Sequence, residues 1–141
     1  MKKIFSLLLL YTGMAAAAYA QKLAVPVAVT KAFNTKFPGA TDVKWEKENS
    51  KELEANFKLN NTNVSANFAL DGSWTETETT IKASDLPATV TNAINTKYPG
   101  AIIFLAEKIE KPGGIILFEV NLKMNGKKKE LELDADGKFA K

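Results

Sequence analysis

The side chains that could do chemistry in this chain are almost all carboxylates, lysines and hydroxyls. Among its 141 residues there is no His, no Cys and no Arg. His is the commonest general base near neutral pH and Cys the most nucleophilic side chain, so triads, thiol chemistry and zinc sites built on either are excluded. Without Arg there is no bidentate clamp for a phosphate or carboxylate. Carboxylate pairs, Ser/Lys chemistry and oxygen-ligand calcium sites survive. Glu52 and Glu54 are the nearest approach to an acid/base pair, but nothing beside them supplies the perturbed environment that proton transfer needs. Asp134-Ala135-Asp136-Gly137 opens like a calcium loop and then lacks the remaining ligands and the bidentate glutamate. The residues available therefore predict a chain that is not an enzyme, carries no metal or cofactor and works by binding.

The chain opens on Met1-Lys2-Lys3, an apolar run from Ile4 to Leu10 and a small-residue stretch ending Ala18-Tyr19-Ala20. That is the layout of a secretory signal peptide cleaved after Ala20. Its apolar run is shorter than the ~20 residues a bilayer-spanning helix needs, so no stable membrane insertion is expected after cleavage. With no Cys after the cleavage site, lipid-anchored export is closed, and a periplasmic or secreted location follows. Residues 21–141 keep 17 lysines against 16 acidic residues, a net charge of +1. Most of the basic character belongs to the export signal, and the net charge supports neither nucleic-acid nor anionic-membrane binding.

Internal similarity is the main signal. Residues 26–40 read PVAVTKAFNTKFPGA and residues 87–101 read PATVTNAINTKYPGA, with ten of fifteen positions identical. The match resumes after a four-residue shift. Glu54–Asn60 lies over Glu119–Asn125, and Asp71–Trp74 over Asp136–Phe139, which puts an insertion near Lys111-Pro112-Gly113-Gly114. A duplication is predicted, with repeats over 21–82 and 83–141 after a signal at 1–20.

Each copy opens with a helix. Val25, Val29, Ala32, Phe33 and Phe37 share one face of the first, and Leu86, Val90, Ala93, Ile94 and Tyr98 one face of the second. Pro26 and Pro87 suit a helix start, Ser84 or Asp85 could cap the second helix, and Pro38-Gly39 and Pro99-Gly100 stop the two. Strands follow. Leu53, Ala55, Phe57 and Leu59 alternate with Glu52, Glu54, Asn56 and Lys58, and Val64–Leu70 returns after Asn60-Asn61 on the same phase. The second copy repeats this through Ile102–Ile109, Ile115–Met124 and Lys129–Ala135, ending in a stub at Lys138–Lys141. The expected fold is α+β: two tandem helix-plus-antiparallel-strand repeats forming one sheet of seven or eight strands, helices on its apolar face.

The segments VxxAFxxKFPGATDVKW at Val29–Trp45 and VxxAIxxKYPGA at Val90–Ala101 resemble the PepSY-like, β-lactamase-inhibitor-like tandem family of exported bacterial proteins. The resemblance implies a sheet curved around a concave face, which grips a partner enzyme in the inhibitor relatives. It also implies a role in restraining peptidases. This chain lacks the cysteines of the disulfide-bonded inhibitor, and the family offers no catalytic residues to carry over.

Comparing the copies singles out a candidate contact surface. Asp42 and Lys44 lie over Ile103 and Leu105, and Glu52 over Leu117, with Ile115 in the same phase. Ile103, Leu105, Ile115 and Leu117 are therefore expected to cluster on the outer sheet face, as a partner site, a homodimer seam or a strand buried on both faces. Glu54, Asn56 and Lys58, with Asn63, Ser65 and Asn67, form a polar row that is either a recognition face or an ordinary solvated one. Trp45 and Trp74 fall on the inward phase, and Lys127-Lys128-Lys129 reads as a charged hairpin tip. The leading expectation is a protein- or peptide-binding envelope module. The alternatives are a small-molecule or glycan carrier and a self-associating structural envelope protein.

Overall fold

A computed structural model describes residues 23–140; the signal-like segment, its cleavage site and Lys141 lie outside the described residues. The proline-led segments become helices α1 (Val27–Lys36) and α2 (Ala88–Lys97). Val29 and Phe33 in α1, and Val90 and Ile94 in α2, are the buried positions, each pair one turn apart. Neither helix has a side-chain cap. Pro26 and Pro87 are themselves the N-cap residues. Ser84 and Asp85, expected as caps, instead belong to a 3₁₀ turn at Ala83–Asp85 that precedes the Pro87 N-cap, and neither caps α2.

The seven strands are β1 (Thr41–Lys47), β2 (Glu52–Leu59), β3 (Thr62–Ala69), β4 (Trp74–Ile81), β5 (Ile102–Lys111), β6 (Ile115–Met124) and β7 (Lys127–Asp134). They form one antiparallel sheet in sequence order. The terminal stub is reduced to a single bridge between Leu133 and Phe139. Asn60 and Asn61 both take positive φ, at 50° and 63°, the two-residue hairpin geometry that Asn tolerates.

Register places both helices on the same side of the sheet. Val64 pairs with Thr79, Thr79 with Lys108, Lys108 with Phe118 and Phe118 with Leu133, so these side chains share one face. The face nevertheless carries two separate cores. The first packs Val29, Phe33 and Phe37 on Leu53, Ala55, Phe57, Val64, Ala66 and Phe68. The second packs Leu86, Val90 and Ile94 on Ala106, Phe118, Val120, Leu122, Leu131 and Leu133. Between them runs a polar strip in which Thr77 faces Glu110 and Thr79 faces Lys108, with Lys108 and Glu110 paired at 2.7 Å.

Several contacts occur once in each half. Trp45 pairs with Ala55 as Ala106 does with Val120. Lys36 Nζ lies 3.6 Å from the Trp74 ring centre, and Lys97 Nζ lies 4.0 Å from that of Phe139. Both tryptophans side with the first core, Trp45 edge-on to Phe33 at 5.3 Å. Trp74 is held by its indole N–H, which donates to the Glu76 carbonyl and to Thr77 Oγ1. That bond satisfies the hydroxyl of Thr77, a polar residue buried on the helix side of the sheet.

Candidate functional site: the outer face of the sheet

With both helices on one face, the other is mostly polar, the apolar exceptions lying on β5 and β6. One complete row crosses all seven strands: Lys44, Asn56, Ser65, Glu78, Ile109, Leu117 and Asp134 are successive register partners. A neighbouring row runs from Thr80 through Glu107 and Glu119 to Glu132. Over β1 to β5 the face holds a groove of about 780 Å³, lined among others by Lys44, Glu54, Asn56, Lys58, Asn63, Ser65, Glu78, Thr80 and Glu107. Glu54, Asn56 and Lys58 thus lie together on its wall. Asn56 donates to Glu54 at 3.1 Å, and Lys58 pairs with Asp42 at 3.4 Å.

The apolar cluster expected from the second copy does not assemble as one group: Ile115 and Leu117 share the outer face of β6, but Ile103 leaves that face and Leu105 stands apart. β5 carries a bulge between Ile103, which pairs with Leu122, and Leu105, which pairs with Asn121. The extra residue reverses the alternation. Ile103 therefore turns inward against the second core, while Phe104, expected inward, is 49% exposed. Leu105 and Leu117 do lie on the outer face, but four residues of strand separate their rows, about 14 Å. Ile115 is exposed at the β5–β6 hairpin. Leu117 instead faces Ile109, which is only 2% exposed although it belongs to the outer face. β1 has the same irregularity between Thr41 and Lys44, with Asp42 at φ 56° and Val43 partly exposed.

The outer-face residues that sequence reasoning passed over are Glu78, Glu107 and Glu119. The signal was present in the alternating Thr/Glu stretch of β4, whose Glu phase matches that of Ser65. Glu107 and Glu119 are directly opposed across β5 and β6, an unfavourable pairing of like charges. Ser65 and Thr80 donate to Glu78 and Glu107, and Asn121 to Glu119. Burial pushes the Glu78 carboxyl up to about 7, reinforced by its hydrogen bond to Glu76 and the charges of Glu76, Glu107 and Glu119. Burial also raises Glu119, with Glu130 adding to it. Among the described residues no group of three or more carboxylates is arranged to hold a metal ion.

A pH dependence of stability follows. The folded Glu78 carboxyl binds its proton more tightly than an unfolded one, whose ordinary value is 4.5. Ionised Glu78 therefore opposes folding: the penalty is absent below about pH 4.5, grows through the interval up to 7 and is complete above it. Because the group is only half buried, solvent screening reduces the effect to about 1 kcal/mol. Glu78→Gln should stabilise the protein by that amount at pH 8 and by nothing at pH 4, measured by urea denaturation. An equal gain at both pH values would place the effect elsewhere.

A seven-stranded open antiparallel sheet with two helices on one face and a polar groove on the other defines an α+β fold class. The family described as "Putative beta-lactamase-inhibitor-like, PepSY-like" matches residues 51–141, and the chain belongs to that family. Solved structures share the fold. A BLIP-like protein from Bacteroides fragilis has a TM-score of 0.72 at 24% identity, covering 84% of this chain and 85% of its own. A DUF2874 family protein from Bacteroides ovatus has a TM-score of 0.75 at 23% identity, covering 84% and 86%. A "putative periplasmic" protein from Bacteroides eggerthii has a TM-score of 0.77 at 17% identity, covering 84% and 87%. No curated protein is similar enough in sequence to count as a relative. No helix among the described residues is long and apolar enough to cross a membrane.

Proposed function

We propose that this protein is a non-catalytic exported binding module that holds a segment of another envelope or extracellular protein on its outer sheet face. The groove across β1 to β5 carries the reading. It is lined mainly by hydrogen-bonding and charged side chains and lies on the face of the sheet away from the helices, so occupying it leaves the helix packing that holds the fold undisturbed. An extended or loop segment can satisfy such a row of alternating polar side chains strand by strand. The absence of His, Cys and Arg from the sequence supports binding over catalysis.

Two tandem repeats, 21–82 and 83–141, are part of the same reading. Support comes from the paired contacts, with Lys36 over Trp74 and Lys97 over Phe139, and from equivalent registers in the two halves. Export with cleavage after Ala20 rests on the signal-like opening, and the periplasmic description of a structural neighbour agrees with it. The inhibitor-like family name supports the narrower idea that the bound partner is an enzyme held in check, a peptidase being one such target.

A photo-crosslinking residue at Asn56 or Ser65 should yield one specific adduct in the producing cell's envelope, while the same residue at exposed Thr30 on α1 yields none. Partner binding, remeasured with the purified adduct protein, should fall at least tenfold on Ser65→Trp. Identical adducts from Thr30, or unchanged affinity, would refute the groove as the site.

A further inference from the structure

The net charge of the chain conceals a basic, partly apolar end. The C-terminus of α2, the start of β5, the end of β6 and the start of β7 all meet at one end of the second half. The bulge in β5 turns Phe104 out of the core, and Ile102 beside it is 67% exposed. Ile102 pairs with Lys123, Lys123 pairs with Lys128, and Lys128 Nζ lies 5.3 Å from the Phe104 ring centre. Lys129, on the opposite side of the sheet, approaches Tyr98, as Lys97 does. Among the described residues no carboxylate forms an ion pair with Lys123, Lys127, Lys128 or Lys129. Two lysines directly opposed on neighbouring strands, beside two exposed apolar side chains, are unfavourable in the free protein.

The corresponding end of the first half is different. At the matching offsets stand Thr41 for Ile102, Val43 for Phe104, Thr62 for Lys127 and Asn63 for Lys128. Lys58, matching Lys123, is neutralised there by Asp42. The shared fold thus tolerates a polar, charge-paired end, and the basic apolar one in the second half is not a packing requirement.

We propose that this end of the sheet docks on an anionic lipid surface, with Ile102 and Phe104 entering the headgroup layer and the lysines facing its phosphates. The arrangement favours a plane over a soluble polyanion for two reasons. The lysines surround a protruding end from both sides of the sheet and do not line a groove that a polymer could follow. The exposed apolar pair gains nothing from a hydrated polyanion but gains at the boundary between headgroups and acyl chains. Lysine ammonium groups, being point charges without a fork, suit a diffuse anionic surface better than one specific phosphate.

The test is co-sedimentation of the purified protein with phosphatidylcholine vesicles with and without phosphatidylglycerol, at low and at high salt. Binding should require the anionic lipid and weaken with salt. Lys127→Gln with Lys128→Gln should lower partition roughly 25-fold, at about fivefold per lysine. Phe104→Ser should weaken vesicle binding while leaving any affinity for heparin unchanged, and its melting temperature reports that the fold survives. Equal binding to neutral vesicles, no binding at low salt, or heparin binding with vesicle binding indifferent to Phe104→Ser would each overturn the proposal.

Discussion

Phe33→Ala should destabilise the first half by about 3–5 kcal/mol, the range for removing a buried aromatic ring. Phe33 is 3% exposed and is the hub of an aromatic cluster. Its ring meets Phe57 at 5.0 Å and 90°, Trp45 at 5.3 Å, Phe37 at 5.5 Å and Phe68 at 6.2 Å. Edge-to-face pairs of this kind add to simple area burial. The second half has Ile94 at the equivalent helical position, in a core whose buried members are aliphatic apart from Phe118, so Ile94→Ala should cost less. The two cores share no buried residue and are joined mainly by the β4–β5 ladder, which spans a polar strip. Both tryptophans belong to the first core, so their fluorescence follows that half while far-ultraviolet circular dichroism follows the whole sheet. In Phe33→Ala the fluorescence transition should precede the dichroism transition. Coincident transitions would mean that the ladder alone makes the sheet one cooperative unit.

How much of this was legible in the sequence depended on how local the determining physics was. The helices were readable because proline, Pro-Gly and three- and four-residue apolar spacing are local signals. Strands β2 and β3, and β6 from Phe118 on, were readable because alternation fixes which face each residue takes. Ile103 was misplaced because a single extra residue in β5 reverses every phase preceding it, and period-two counting cannot see a bulge. The same slip hid Phe104, whose exposure helps define the basic end. Ile109 showed the opposite limit. Its phase is outward and polar neighbours flank it, yet Leu117, Glu78 and the surrounding side chains bury it, which depends on cross-strand register no single strand reveals. The carboxylates Glu78, Glu107 and Glu119 come from three strands and become neighbours only once those registers are known.

Register also explains why the two faces answer differently to substitution. The helix face is fixed by volume and shape, so its residues are replaceable only by others that fill the same space. The outer face keeps its pairing despite like-charge opposition, at Glu107 and Glu119 where Thr80 and Asn121 donate hydrogen bonds to the carboxylates, and at Lys123 and Lys128 where both side chains are exposed to water. Apart from buried Ile109, residues there are less constrained by core packing.

Gly137→Ala should lower the melting temperature by roughly 8–12 °C, about 2–3 kcal/mol for a domain of this size. Gly137 follows β7 at φ +83°, a conformation that costs an L-residue about 1–2 kcal/mol. A Cβ there would stand 2.5 Å from the Thr89 carbonyl oxygen and 3.2 Å from Ala93 Cβ, so α2 would have to lift from the turn that seats it. Lifting it would also strain the hydrogen bond from Thr89 Oγ1 to the Ala135 carbonyl. Gly72 sits in the same relation to α1, at φ +93° with the Ala28 carbonyl oxygen 2.8 Å from the added carbon, and Gly72→Ala should behave alike. Gly113 separates the two contributions. Its φ is +84° but no atom lies within 4 Å of an added Cβ, so Gly113→Ala should carry only the backbone cost, about half the loss. Thermal melts of the three variants decide it: if Gly137→Ala is no worse than Gly113→Ala, the helix is not seated on the turn, and the close approach between each helix and its hairpin is not what fixes the helices to the sheet.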